Sequence, residues 1–206
     1  MSLYDEEFHE LKTGSYASVG ADGKLRYDAF CCSRCFKLFF VDRRDLYKMA
    51  TAHAKKCSFR LGKEGIIAIT KNNLQNAKLK HAIDSLGSIS KHLQQIDFPM
   101  TDSDSVKKLN QVVFIYVDHG KPVGYLTTDN RNIILEEGTK KLFTSVSDFC
   151  VFPHVQRKGI GKKLFDAMLS YHEKTPAELA YCRPSYATQQ FLRKWYDIDV
   201  QTVVCW

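Results

Sequence analysis

The chain has 206 residues, 44% of them hydrophobic, enough for one full core and one small accessory module, so a soluble globular protein is expected. No apolar run approaches the roughly 18 to 20 residues of a membrane span, and residues 1–7 lack the basic and apolar regions of a secretory signal, so the expected setting is intracellular. The net charge of +7 favours an acidic partner, whether a nucleotide cofactor, nucleic acid or an acidic protein surface, and an odd count of seven cysteines does not read as a disulfide framework.

In chain order, the first informative segment is cysteine-rich. Cys31, Cys32, Cys35 and Cys57 cluster with His53 among them, while Cys150, Cys182 and Cys205 stand apart. The spacing Cys32-x2-Cys35-x17-His53-x3-Cys57 pairs a thiolate knuckle with a His/Cys pair four residues apart, on one helix face. Four soft ligands suit a structural, tetrahedral zinc, and reduced core cysteines are the alternative. Cys31 could replace Cys32, although the x2 spacing to Cys35 favours Cys32. Residues 36–41 read as a strand and 44–56 as a helix with Leu46, Met49, Ala50 and His53 on one face, which outlines a ββα zinc-finger-like module. The x17 gap exceeds the usual finger interval of about a dozen residues. Arg34, Lys37, Arg43, Arg44, Lys48, Lys55, Lys56 and Arg60 open nucleic-acid binding through this module, against the alternative of a solvated basic surface.

Beyond the module, residues 65–70 read as a strand, and 73–95 as a helix from Leu79, Ala82, Ile83, Leu86, Ile89 and Leu93 at three- and four-residue spacing. Residues 112–117 and 122–127 flank the turn Asp118-His119-Gly120-Lys121 and predict a β-hairpin. The polar stretch 99–108, with Pro99, predicts a mobile loop. Residues 132–135, 142–151 and 177–182 read as further strands, 160–169 and 187–196 as helices, and 201–206 as a closing strand. The expected fold class is α/β, of α+β type, with a mixed sheet flanked by helices. The division is a 1–60 N-terminal region holding the metal module and a 61–206 main domain.

Between the strand ending Phe149-Cys150-Val151-Phe152-Pro153 and the helix from Ile160 lies Gln156-Arg157-Lys158-Gly159-Ile160-Gly161. Glycines let the backbone approach a ligand, and the N–H groups opening the helix have no intrahelical acceptor. With the helix dipole and two cations they form an anion cradle suited to a pyrophosphate. The order strand, Gln-x-x-Gly-x-Gly, helix resembles the acetyl-CoA loop of GCN5-related N-acetyltransferases.

Within that superfamily the chain resembles the α-tubulin N-acetyltransferases, over roughly residues 74–206. The resemblance is carried by Ile83-Asp84-Ser85-Leu86-Gly87 with Gln94 downstream, Asp148-Phe149 leading into the glycine turn, and Arg183-Pro184-Ser185 before the last helix. It implies acetyl transfer from acetyl-CoA to a lysine of α-tubulin in microtubules, and an activity-bearing Gln94. It also implies cofactor contacts from Phe149, Cys150, Val151, Phe152, Gln156, Arg157, Lys158, Gly159, Ile160, Gly161, Lys162, Ser185, Gln189 and Lys194. The implied location is cytoplasmic and cytoskeleton-associated, including cilia or flagella, with the nucleus as alternative, and no membrane is involved.

Two positions depart from the family pattern. Where it has an aspartate before Arg-Pro-Ser and a cysteine three residues before Asp-Phe, this chain has Cys182 and Ser145. A lysine ammonium, with a reference pKa of about 10.4, must lose a proton to attack a thioester. Cys182 could act as base if Arg183 or another cation lowers its thiol from about 8.5 toward 7. The alternative is a buried strand cysteine without chemistry. Asp148 is a second candidate carboxylate, and Ser145 reads as space-filling. The metal module gives a further resemblance, to the MYST histone acetyltransferases, implying histone lysines as an alternative substrate. A third reading is a catalytically silent microtubule or nucleic-acid binding protein that retains the fold.

Overall fold

The computed structural model describes residues 8–10, 18–19, 25–32, 34–35, 38–41, 52–53, 56–62, 64–94, 96–152 and 155–206. The N-terminal part holds a small antiparallel sheet in which β1 (Phe8–Glu10), β2 (Ser18–Val19) and β4 (Leu38–Val41) each pair with β3 (Leu25–Cys32). Residues 52 and 53 are helical, and the rest of the predicted finger helix, including Leu46, Met49 and Ala50, lies outside the described residues.

The main sheet has six strands in the order β10-β9-β8-β7-β6-β5. These are β5 (Gly65–Ile69), β6 (Val112–Asp118), β7 (Lys121–Ile134), β8 (Lys140–Val151), β9 (Ala180–Tyr181) and β10 (Val204–Cys205). Strands β5 to β8 are antiparallel neighbours, whereas β9 runs parallel to both β8 and β10. The β6–β7 hairpin turns through His119 and Gly120, both with positive φ (50° and 72°), the pattern that matches the right-handed twist of the strands. The Glu64 carboxylate accepts from both turn N–H groups, at 2.9 and 2.8 Å.

Among the described residues, four helices flank the sheet: α1 (Ala77–Gln94), α2 (Ser103–Lys108), α3 (Ile160–His172) and α4 (Tyr186–Tyr196). The spacing that predicts α1 is the spacing that buries it. Ala82, Ile83, Leu86 and Ile89 are fully enclosed, and Leu79 and Leu93 pack partly buried beside them. Full burial of such a leucine or isoleucine contributes roughly 1.5–3 kcal/mol. Leu164, Phe165 and Met168 of α3 fill the other part of the core, with Phe149 and Phe191 ring-stacked beside Phe165.

Four expectations change. The 99–108 segment is not a loose loop: Thr101, Ser103 and Val106 are buried, and α2 starts on Asp102, whose carboxylate caps the Ser105 N–H at 2.6 Å. Asp84 of α1 accepts from the Ser103 N–H at 2.8 Å, so tertiary contacts hold a stretch whose composition reads as loop. Residues 122–127 and 132–135 are one strand, β7, of 14 residues. The predicted 177–182 strand shortens to β9 behind a 3-10 turn (Pro176–Glu178). The closing strand likewise shortens to β10 behind Val200–Thr202.

Candidate active site and metal centre

The four predicted metal ligands meet. The ligand atoms of Cys32, Cys35, His53 and Cys57 all lie within 4.8 Å of one another, with Cys32 Sγ and Cys57 Sγ 3.9 Å apart and Cys35 Sγ 3.2 Å from His53 Nε2. Tetrahedral zinc with Zn–S bonds of about 2.3 Å places thiolate sulfurs ~3.8 Å apart, so this donor set fits zinc. The fit has a local origin. Cys32 ends β3, Cys35 sits in the following turn, and the Cys57 N–H donates to the His53 carbonyl at 2.9 Å, which puts those two side chains one helical turn apart. Hydrogen bonding from Cys35 pulls the Cys32 thiol down to about 4 against its burial, the thiolate form a metal requires. The knuckle is docked on α1: His81 Nε2 lies 3.1 Å from the Cys35 carbonyl, and Phe59 meets the His81 ring edge-on at 5.1 Å.

At the other end of the chain, β8 leads through the glycine turn into α3. Gly159 is the N-cap residue of α3 at φ 78°, and no side chain caps the helix, so its first N–H groups stay open to an anion. Arg157, at φ 65°, and Lys158 are exposed beside it. A Cβ on Gly159 would meet nothing within 4 Å, whereas one on Gly161 would stand 3.2 Å from Phe149 Cζ and 3.6 Å from Phe191. The two glycines therefore serve different ends: Gly159 for backbone conformation and ligand approach, Gly161 for seating α3 against β8 and α4.

The other predicted cofactor residues divide in the same way. Cys150 and Phe152 are buried, as is Ile160, and the Cys150 thiol is pushed up to about 12 by burial, so only their backbone is open to a ligand. Phe149 and Val151 pack partly buried against the same core. Gln156 donates to the Val151 carbonyl at 2.8 Å, and Lys162 pairs with Asp166 at 2.6 Å, which also accepts from Tyr196. Ser185 caps α4 through the Thr188 N–H at 3.3 Å, and Gln189 donates to the Pro184 carbonyl at 2.9 Å. Lys194 lies over the Trp195 ring. Pro153 lies outside the described residues.

Strands β8 and β9 pair only at Ser145–Ala180 and Val146–Tyr181, with one further bond from the Cys182 N–H to the Val146 carbonyl. Past that point the two chains part, and β8 from Ser147 to Val151 has no β9 partner on that edge. A substrate with amide groups can hydrogen-bond along such an edge.

The register sets which side chains meet. Thr127 opposes Asp148, Thr128 opposes Val146 and Asp129 opposes Ser145, so Ser147 is bulged out. Without that extra residue Asp148 and Ser145 would face opposite sides; with it both share the face of Thr127 and Asp129. Ala180 opposes Ser145, and Cys182, two residues on, joins this face. It is the face covered by α1. Asp148 accepts there from Gln94 Nε2 at 2.9 Å, Ser90 Oγ at 3.1 Å and the Tyr125 hydroxyl. Burial raises the Asp148 pKa, and those donors oppose the rise. Gln94 is itself exposed, and its amide nitrogen is the atom turned to the carboxylate and to Ser90.

The Cys182 thiol is half-buried, and burial raises its pKa above the ordinary value; Arg131 and, less, Arg183 lower it, while Asp129 and Asp148 raise it. Beside it are residues that the sequence reading passed over. Arg131 clasps Asp129 Oδ2 at 2.7 and 3.0 Å and stacks over the Trp206 ring at 4.6 Å, and Trp206 Nε1 donates to Ser145 Oγ at 2.7 Å. Ser145 thus anchors the indole as well as filling space. An Asp-x-Arg pair in a strand was the available signal.

The turn yields a direct prediction. Gly159→Val places a β-branched residue at positive φ, which costs at least about 1–2 kcal/mol in backbone energy. The acetyl-CoA Kd by calorimetry is expected to rise about tenfold, with the melting temperature lowered by roughly 2–8 °C; an unaltered Kd would remove the turn from the site.

Comparisons with known proteins agree with this geometry. Residues 43–204 match the family model described as GNAT acetyltransferase, Mec-17. Alpha-tubulin N-acetyltransferase 1 of Danio rerio is 33% identical over 126 residues, covering 56% of this chain and 42% of that protein. Alpha-tubulin N-acetyltransferase 2 of Trypanosoma cruzi is 35% identical over 135 residues, covering 58% and 38%. The chain spans less than half the length of these relatives. The xEco2 acetyltransferase domain, solved bound to a CoA conjugate, is similar in fold with a TM-score of 0.52 at 15% identity, over 66% of this chain and 88% of that one. Among the described residues no helix is long and apolar enough to cross a membrane.

Proposed function

We propose that this chain, which belongs to the Mec-17 family of GNAT acetyltransferases, transfers the acetyl group of acetyl-CoA to the ε-amine of a lysine on α-tubulin. The observation that carries the reading is one continuous site: the uncapped start of α3, the parted edge of β8, and a polar face under α1 that ends at Gln94 and Cys182. The names of the relatives support tubulin as the substrate and a cytoplasmic, microtubule-associated setting.

The protein's own groups divide the work. The open N–H groups of α3 with Arg157 and Lys158 bind the pyrophosphate, and the backbone of 149–152 holds the pantetheine arm. Bound acetyl-CoA supplies the activated acyl group. Gln94, fixed by Asp148 and Ser90, offers its amide oxygen to the incoming amine, which makes Asp148 a positioning residue. Cys182, as a neutral thiol, lines the acceptor side. Cys32, Cys35, His53 and Cys57 hold a structural zinc that fastens the N-terminal region, residues 1–60, to the 61–206 domain.

The test is mass-spectrometric detection of acetyl-lysine after incubating the chain and acetyl-CoA with polymerised tubulin or, separately, histones. Product on α-tubulin is expected. Product on histones alone would transfer the reading to histone lysines, and product on neither, with acetyl-CoA bound, would mean a silent binder.

A further inference from the structure

The carboxylate of Asp129 is an anomaly of the main sheet. It lies in the middle of β7, its side chain is 1% exposed, and its pairing is one-sided. Oδ2 receives two bonds from Arg131, while Oδ1 is buried with no hydrogen-bond partner among the described residues. An unsatisfied oxygen on a buried carboxylate costs more than a neutral group would, so it is not expected to be left in place for stability.

Its surroundings say what it awaits. Asp129 opposes Ser145, which opposes Ala180, so the carboxylate shares the α1-covered face with Asp148 and Cys182. It stands within electrostatic reach of Cys182, at the point where β8 and β9 part. Asp148 is already occupied by three donors, and burial holds the Cys182 thiol above its ordinary pKa. Arg131 is held outward by the Trp206 ring, which leaves Oδ1 as the unengaged oxygen.

We infer that Asp129 Oδ1 is the docking point and first proton acceptor for the ammonium of the substrate lysine. The inference rests on the acetyltransferase reading and adds a catalytic residue to it. The ammonium nitrogen gives one proton to Asp129 and attacks the thioester carbonyl carbon. The N–C bond forms and the C–S bond breaks, with the electron pair leaving on sulfur. The second proton lost by nitrogen neutralises the CoA thiolate, and Asp129 returns its proton to water, so the balance is lysine ammonium plus acetyl-CoA giving acetyl-lysine, CoA thiol and one proton.

The experiment measures turnover with polymerised tubulin, acetyl-CoA affinity and thermal melting for Asp129→Asn, alone and combined with Cys182→Asp. Asp129→Asn is expected to lower kcat/KM for the lysine substrate about 100-fold, within the range for proton transfer, with acetyl-CoA Kd within twofold of the parent. Cys182→Asp, which returns a carboxylate to the same face just past β9, is expected to recover most of that loss while raising the turnover of the parent less than threefold, a background dependence that a merely structural role of Asp129 would not give. Where Asp129→Asn does not fold, Asp129→Ser with Arg131→Met removes carboxylate and cation together and is measured in its place. Turnover within threefold of the parent, or a loss that Cys182→Asp leaves uncorrected, overturns the inference. A parent chain with no activity on any lysine would instead overturn the acetyltransferase reading.

Discussion

Cys35→Ser is expected to abolish stoichiometric zinc binding and to unfasten the N-terminal region. Structural zinc in small fingers contributes on the order of 10–16 kcal/mol to folding at neutral pH, far more than the few apolar contacts so small a sheet can make. The four ligand atoms are within 4.8 Å of one another, a spacing that thiolates tolerate only around a cation. Removing one leaves Cys32, His53 and Cys57 with weaker affinity and mutual repulsion. Metal analysis should fall from about one zinc per chain to near zero. Limited proteolysis should then cut between β3 and residue 57, while residues 64–206 resist. A chain purified with no zinc, or a Cys35→Ser variant that retains it fully, would show that the cluster is a reduced cysteine core.

Gly87→Ala should be the most damaging small substitution in the main domain. A Cβ on Gly87 would lie 1.7 Å from the Thr101 carbonyl oxygen and 2.9 Å from its carbonyl carbon, both backbone atoms with no freedom to swing aside. Alanine in place of glycine gains about 1 kcal/mol of helix propensity. Overpacking of an ordinary core costs about 1–3 kcal/mol, and an approach this close sits at or above the top of that range. The clash therefore wins, and relief requires α1 and the Thr101 segment to separate. That motion strains the Thr101 to Thr127 hydroxyl bond of 2.9 Å and the anchoring of α2. A net loss of about 3 kcal/mol should lower the melting temperature by roughly 6–12 °C for a chain of this size. An unchanged or raised melting temperature would mean that the two segments part at little cost.

Local chemistry was legible from sequence; relations between strands were not. The four side chains that converge, Cys32, Cys35, His53 and Cys57, could be named because knuckle and helical spacings are fixed within a short stretch of chain. The glycine turn at the uncapped start of α3 could be named because glycines, cations and a helix start are adjacent in sequence. Asp129 was missed because its meaning depends on the register of β7 against β8, and the bulge at Ser147 changes that register in a way no spacing rule announces. The same polar residues, Thr127 to Arg131, made one long strand look like two, since the site lies on its inner face. The α2 segment misled for the opposite reason: its serines and aspartates cap and anchor a helix, and Asp84 and Gly87, which hold it, are about 15 to 20 residues away. Cys182 was read with Arg183 or another cation beside it, and the cation with the larger effect, Arg131, lies about fifty residues earlier on β7, with Asp129 opposing it.

Helix α1 meets the cysteine knuckle at His81, the α2 segment at Asp84 and Gly87, and the Asp148 carboxylate at Gln94. From His81 to Gln94 is about 20 Å of rigid rod at 1.5 Å per residue, so a tilt of about 5° pivoting at the knuckle would carry Gln94 by nearly 2 Å. Displacements of about 1 Å are enough to cost about a hundredfold in rate. The helix is thus a lever with its fulcrum at the Cys35 knuckle, so that a small shift of the knuckle becomes a larger one at Gln94.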